Sequence, residues 1–187
     1  MDALPPEPPP QWLPIAARWC VENQRCIDLE VARGPEQQRL GLMRRPALPP
    51  LRGMWFPFST PQPQRFWMFN TIAPLDMIFV RDGRVLDLVR AVPACAALPC
   101  RSYSADADGN GRADFVDAVI EIGAGEAQRL GIDIGDPVQI EPLCLRTEAV
   151  SAPLRSSHDQ GWVHRSQACA VPQRLSSPGL QLLHAHR

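Results

Sequence analysis

The sequence of 187 residues contains no lysine, and its four histidines all lie after residue 157. All 19 basic residues are therefore arginines. The absence of lysine excludes a Schiff-base lysine and the lysine of a P-loop. Because residues 1–142 have neither lysine nor histidine, most conventional acid–base, nucleophile-activating and zinc-binding sites are excluded from that part of the chain.

The sequence also lacks an excess of positive charge and a long apolar run. Its net charge of -1 gives no field that would attract nucleic acid, so we expect no nucleic-acid partner. No apolar run approaches the roughly 18–20 residues that span a bilayer, which predicts no transmembrane segment. The start has neither the basic nor the apolar region of a signal peptide. We expect a monomer whose partner is an unknown small molecule or protein.

The composition divides the chain into three parts. Residues 1–15 are rich in proline and are predicted to form a disordered arm. Residues 16–142 are predicted to form a single globular domain, since 45% hydrophobic and 21% charged residues are typical of soluble proteins. Residues 143–187 carry five arginines against two acids, lose the apolar pattern and are predicted to be a disordered basic tail.

Short apolar runs separated by proline and glycine predict a β-rich domain. Residues 26–32 alternate between apolar and polar, and Asp82-Gly83 between two β-rich runs predicts a hairpin. The pattern favours an α+β fold dominated by an antiparallel or mixed sheet of six or seven strands, curled towards a barrel, with two short helices. The predicted strands are residues 26–32, 52–58, 65–70, 75–80, 84–92, 115–122 and 137–140, and the predicted helices are residues 35–45 and 125–130.

Four of the six cysteines form two close pairs. Cys20 and Cys26 enclose five residues, and Cys95 and Cys100 enclose four. Both spacings can close small disulfide loops if the Cα atoms come within about 7 Å. The alternative is free, partly buried thiols, as in a cytosolic protein. Disulfides would favour export to the periplasm, with a signal segment that precedes this sequence or has been removed.

Five segments in order resemble the domain-of-unknown-function 192 family over residues 26–141. They are IDLEVARGPEQQRLGLMRR, GMWFPF, RFWMFNTIAPLDMIFVRDGRV, PACAALPCRSY and AGEAQRLGIDIGD. The resemblance implies a small β-rich domain of bacteria and archaea, often behind an export signal, with no established activity. Many relatives have lysine where this chain has Phe69. The residues that carry the resemblance are Glu30, Arg39, Gly41, Leu42, Met43, Trp67, Met68, Asn70, Thr71, Pro74, Asp76, Cys95, Cys100 and Tyr103.

These residues suggest a ligand pocket. Trp67 and Met43 would form its floor, because an apolar cavity with a few converging polar groups is the usual form of a small-molecule site. The alternative interpretation is a corner of the fold that the polar side chains lock by hydrogen bonds over a buried tryptophan. The predicted ligand-binding residues are Arg39, Met43, Trp67, Asn70, Thr71 and Asp76.

Residues 106–117 read DADGNGRADFVD and match the spacing of a twelve-residue calcium loop. Their oxygen atoms follow in ring order, and Gly111 permits the sharp bend that such a loop needs. The alternative is an acidic, glycine-rich surface loop. The predicted calcium ligands are Asp106, Asp108, Asn110, the backbone carbonyl of Arg112, Asp114 and Asp117.

The sequence favours a non-enzymatic binding or accessory module, stabilised by calcium if the loop binds it. The alternative is an enzyme that uses carboxylates and arginine on an anionic or sugar-like small molecule. In that hypothesis Glu30 and Asp76 form a carboxylate pair, and Arg39, Arg65 and Arg84 hold the anion.

Overall fold

The computed structural model describes residues 9–21 and 24–143, which form nine strands and two helices. Seven strands make one mixed sheet, and two make a small separate sheet, which confirms the predicted β-dominated fold with two short helices. The predicted tail lies outside the described residues except for Leu143. The elements are β1 (Ile15–Cys20), β2 (Cys26–Val31), α1 (Pro35–Leu40), β3 (Arg52–Pro63), β4 (Phe66–Trp67), β5 (Leu75–Arg81), β6 (Arg84–Val92), β7 (Ser102–Tyr103), β8 (Phe115–Gly123), α2 (Glu126–Leu130) and β9 (Ile140–Pro142).

The large sheet has the strand order β6-β5-β8-β3-β2-β1-β9, and β4 pairs with β7 in the small one. Only β2 and β3 run parallel; the other neighbours in the sheet are antiparallel. The segment just before β9 reaches the far edge strand, where Val85 donates to the carbonyl of Asp136 at 2.9 Å and Val138 donates to Gly83 at 2.8 Å. These bonds bring the two edges of the sheet together and so curl it.

The curl gives the sheet an inner and an outer face. The inner core contains side chains from both ends of the sheet, such as Trp19 of β1 and Val85 of β6, together with Leu130 of α2. The outer core lies on the opposite face and contains Phe56 and Phe79. Because successive side chains of a strand alternate between faces, the central strand β8 contributes to both cores.

Two of the local differences from the sequence expectations have clear physical causes. The helix predicted over residues 35–45 ends at Leu40, because Gly41 adopts φ 43° and ψ -129°, outside the helical region. The strand predicted over residues 65–70 is reduced to Phe66–Trp67, since its partner β7 is only two residues long. The predicted last strand lies later, at Ile140–Pro142, and β1 was not predicted.

The end of the proline-rich arm, from residue 9 onwards, lies against the domain. Residues 1–8 lie outside the described part. The side chain of Gln11 donates to the carbonyls of Gln37 and Gly41 at 2.7 and 2.9 Å. The backbone of Leu13 donates to the Glu30 carboxylate at 2.8 Å. The arm therefore fixes the C-terminal end of α1.

Candidate functional site

A cavity of about 190 Å³ lies on the outer face, where α1 and the turn after it cover β3, β4 and β8. Its lining combines apolar and aromatic side chains with two arginines and one acid. This is the composition expected of a small-molecule site. The lining residues are Gln38, Arg39, Leu40, Gly41, Leu42, Met43, Phe56, Phe58, Gln64, Arg65, Phe66, Trp67, Thr71 and Glu121.

The acid in this lining is Glu121 of the central strand β8. It pairs in register with Met54 of β3 on one side and Met77 of β5 on the other. Glu121 is only 5% exposed, and its carboxyl group has no hydrogen-bond or ion-pair partner among the described residues. Burial disfavours the charged form and raises the pKa of Glu121 to about 8. At neutral pH the group is therefore mainly an uncharged carboxylic acid.

Aromatic side chains form one wall of the cavity. Phe66 meets Phe56 and Phe79 edge to face, with ring centroids 5.1 and 6.4 Å apart. Trp67 is the next residue of β4, lies 5.6 Å from the ring of Phe69 and is 48% exposed. A half-exposed tryptophan at a cavity offers a large apolar surface to a ligand at little cost in ordering.

The two arginines of the lining are exposed and so mark the open side of the cavity. Arg39 bonds Glu36 one turn earlier on α1, at 2.8 and 2.6 Å. This hydrogen bond lowers the pKa of Glu36 and raises that of Arg39. Arg65 has no ion-pair or hydrogen-bond partner among the described residues. The open side is therefore cationic, whereas the buried side ends in a neutral acid.

Four of the six predicted ligand-binding residues come together at the cavity: Arg39, Met43, Trp67 and Thr71. Asn70 and Asp76 do not line it. Two features of the lining were not predicted, the aromatic wall beneath Trp67 and the acid Glu121. The sequence holds a signal for the acid, because Glu121 interrupts the apolar run VIEI of a predicted buried strand.

Residues 18–140 match the sequence profile of a family described as DUF192, uncharacterized ACR. The chain belongs to the DUF192 family. Two solved structures are similar. A putative transcription regulator from Sinorhizobium meliloti 1021 is 32% identical, with a TM-score of 0.53, over 67% of this chain and 91% of that one. A protein of unknown function from Novosphingobium aromaticivorans DSM 12444 is 33% identical, also at 0.53, over 66% and 83%. No protein with a curated description matches.

The residues that carry the DUF192 resemblance but lie outside the cavity have structural roles. Asp76 is fully buried, and its carboxylate accepts from the backbone of Ala91 at 2.8 Å and of Ala127 at 3.0 Å. It joins β6 to the start of α2. For this residue the locked-corner interpretation fits the contacts.

Asn70 shapes a turn. Its φ of 57° lies in the left-handed region, which asparagine adopts more readily than most residues. Its carbonyl accepts from the backbone of Arg44 at 2.7 Å, and its N–H donates to Cys95 at 3.0 Å. The turn thereby links the segment after α1 to the loop of the second cysteine pair, and it positions the adjacent Thr71 against the cavity.

Glu30 and Asp76 do not form the carboxylate pair that the enzymatic hypothesis requires. Glu30 is 7% exposed and binds Arg45 through two bonds of 2.8 and 2.7 Å. The sheet order puts β2 three strands from β5, or roughly 14 Å at the usual strand spacing. Arg84 also lies apart from the cavity, since its side chain donates to the carbonyl of Gly135.

Both predicted cysteine pairs lie at disulfide distance. The sulfur atoms of Cys20 and Cys26 are 2.04 Å apart and join the facing ends of β1 and β2. Those of Cys95 and Cys100 are 2.09 Å apart. The second pair closes the loop that precedes β7, the partner strand of β4, and so constrains the aromatic wall of the cavity.

The predicted calcium loop folds on its own hydrogen bonds. Asp106 accepts from the backbone of Gly111 at 3.0 Å, and its second oxygen is buried without a hydrogen-bond partner. Asp114, near the end of the loop, accepts from the backbone of Ala107, near its start, at 2.7 Å. The carboxylate of Asp117 instead accepts from Asp82 of the β5–β6 turn at 2.6 Å.

These contacts do not gather the ligand set predicted for calcium. Asp108 accepts from both the backbone and the side chain of Asn110, and Asn110 accepts in turn from the backbone of Arg112. Within the described part of the chain, no three acidic, histidine or cysteine residues converge as a metal site would require.

Neither described helix has the length and apolar character needed to cross a membrane.

Proposed function

We propose that this DUF192 domain is a binding module for a small molecule, which the outer-face cavity holds against Glu121. The observation that carries the proposal is a buried carboxyl group, without a protein partner, in the lining of a cavity. A buried polar group without a hydrogen bond costs roughly 1–3 kcal/mol. A side chain that costs stability in the fold, yet lies where a ligand could satisfy it, is typical of a functional site.

The test is a fragment screen by ligand-observed NMR on the full chain, with a variant that fills the cavity. Leu40 lines the cavity from α1, and Leu40→Trp places an indole there. Ile134 is 65% exposed and lies outside the lining, so Ile134→Trp is the matched control. We expect fragments that bind the wild type and the control but not Leu40→Trp. Equal binding to both variants, or no binding to the wild type, would overturn the proposal.

A second candidate is an enzyme in which Glu121 acts as a general acid or base. The pKa of about 8 favours it, since groups that transfer protons work best when their pKa lies near the ambient pH. No second carboxylate lines the cavity, so the paired-carboxylate form of this hypothesis has no support. Once a fragment is known, its chemical conversion by the wild type and not by Glu121→Gln would favour the enzyme.

Calcium binding by residues 106–117 also stays a proposal. The buried, unpartnered oxygen of Asp106 supports it, whereas the bond from Asp82 to Asp117 must break or be shared for Asp117 to take part. A rise in melting temperature at several millimolar calcium, absent in Asp106→Ala, is the expected result. No shift in the wild type would remove calcium from the function.

The name of the Sinorhizobium relative raises the question of DNA binding. Residues 1–142 of this chain carry 14 arginines against 18 acids. Binding to a phosphate backbone depends on excess positive charge, so the composition of the domain gives this role no support.

A further inference from the structure

The charges around the cavity carry an inference about its ligand, which rests on the binding function proposed above. We propose that the ligand is a small amphipathic anion with an apolar body of about one ring, such as an arylalkyl carboxylate. Its charged group lies at Arg65 and Arg39, and its apolar body extends towards Glu121.

The size of the cavity sets the size of the body. An apolar cavity of about 150 Å³ holds a single benzene ring. The volume of about 190 Å³ therefore accommodates one ring with a short substituent. Against the aromatic wall made by Phe56, Phe66 and Trp67, the hydroxyl groups of a sugar would lose the water that hydrates them, which costs free energy unless polar groups replace it.

The sign of the charge follows from the lining. Its charged groups at neutral pH are two arginines, because the one acid is buried and mainly protonated. Glu36 offsets part of the charge of Arg39, but Arg65 has no such partner among the described residues. An ammonium group would meet this positive field as it enters, whereas a carboxylate could form a charge-assisted hydrogen bond with Arg65.

The orientation follows from desolvation. Glu121 lies between Met54 and Met77, so an anion placed beside it would lose its water and gain no cation. At the exposed arginines the anion keeps part of its hydration. The apolar body of the ligand is then left beside Glu121, and a carbonyl or hydroxyl substituent on that body could accept the proton of the acid in a hydrogen bond.

Three ligands of nearly equal shape test the charge. Phenylacetate is the anion, 2-phenylethanol the neutral form and 2-phenylethylamine the cation. Calorimetric titration of the full chain at pH 6.5 should give the affinity order phenylacetate, then the alcohol, then the amine. Arg65→Gln should weaken phenylacetate by about three- to tenfold and leave the alcohol unchanged. Arg33→Gln, an exposed arginine outside the lining, is the control and should change neither affinity.

The outcomes separate this inference from the binding function. If the amine binds as tightly as the acid, or if Arg65→Gln and Arg33→Gln affect phenylacetate equally, the anionic class is wrong. In that case the cavity remains a binding site as long as Leu40→Trp removes the binding. If none of the three compounds binds the wild type, the arylalkyl class is wrong, and the fragment screen alone decides the binding function.

Discussion

The two faces of β8 have the same neighbours in the sheet and opposite character. On the inner face, Ile120 and Ile122 are at most 1% exposed and pack in a core that α2 covers. On the outer face, Val119 packs in the second core, but the next residue on that face is Glu121, beside a cavity. The strand is therefore optimised for packing on one side only.

This difference separates a face that stabilises the domain by packing from a face that leaves a cavity and polar groups open. The inner face encloses apolar side chains from both ends of the curled sheet, so its stability comes from close packing. The outer face contains an unpartnered acid and a half-exposed tryptophan, each of which lowers or fails to add to the stability of the free protein. Variants of the two faces should therefore differ in the size and the sign of their effect on stability.

The largest effect is expected from Ile120→Ala on the inner face. Ile120 is fully buried, and removing its methyl and methylene groups leaves a cavity in a packed core. The free energy of unfolding should fall by about 4 kcal/mol, within the range for such core truncations. Urea unfolding at pH 7 measures it. A loss below about 1 kcal/mol would show that the inner face is not tightly packed.

The next effect is a pH dependence that arises from Glu121. Between its ordinary pKa of 4.5 and its pKa of about 8 in the fold, the unfolded chain ionises while the folded chain keeps the proton. The unfolded state then binds fewer protons, so stability falls as pH rises, by about 3 kcal/mol between pH 5.5 and 7.5. The contribution of protonated Glu121 to the free energy of unfolding is complete below pH 4.5 and is lost as the pH rises above about 8.

This pH dependence has an internal control. Glu121→Gln removes the titrating group and keeps its shape, so the difference between wild type and variant isolates it from other groups, such as the four histidines after residue 157. The carboxylates of Glu36 and Glu126 have pKa values lowered by arginine partners and are ionised throughout this range. Equal slopes in wild type and variant would contradict the burial of a neutral acid.

A smaller effect of opposite sign is expected from Glu121→Leu. Leucine matches the neighbouring methionines and removes a buried carboxyl group that desolvation disfavours, so the free energy of unfolding should rise by about 2 kcal/mol at pH 7. The same variant should lose preference for ligands with a terminal carbonyl or hydroxyl group. Destabilisation would mean that the carboxyl group has a structural partner, and the functional interpretation of the outer face would fail.

The smallest effect concerns the arm that covers part of the outer face. Trp12 lies over the guanidinium of Arg45 at 4.1 Å, and Arg45 is itself buried against Glu30. Trp12→Ala should lower the free energy of unfolding by about 1 kcal/mol. Trp12→Phe should lower it by much less, because phenylalanine also presents an aromatic face to the guanidinium. Equal losses in the two variants would show that the aromatic face does not contribute.

Much of the fold could be predicted from local signals. Asp82-Gly83 marks the hairpin of β5 and β6, and both residues adopt the positive φ that such a turn needs. Pro35 and Gly131 mark the start of α1 and the end of α2. The alternation in residues 26–31 predicts β2. Each of these signals acts through the backbone of a few neighbouring residues, so it can be interpreted without the tertiary structure.

The candidate site was only partly accessible to such reasoning. Trp67 and Met43 could be predicted as site residues because they are apolar residues in a specific motif, and both line the cavity. Asp76 belongs to the same motif but has a structural role. Its carboxylate binds two backbone N–H groups that are 15 and 51 residues away in sequence. Nothing local distinguishes a carboxylate that binds backbone groups from one that faces a cavity.

By itself, the sequence determined the β-rich domain, its hairpin, its short helices and the absence of lysine and histidine chemistry from residues 1–142. Only the tertiary structure decided which acid lines a cavity without a protein partner. The carboxyl group of Glu121 is protonated and has no protein partner because β3 and β5 place Met54 and Met77 beside it. No hydrogen-bond donor of the described residues reaches it. Burial and partners are properties of the assembled sheet, and they set the protonation and availability of a carboxyl group more strongly than its position in the sequence does.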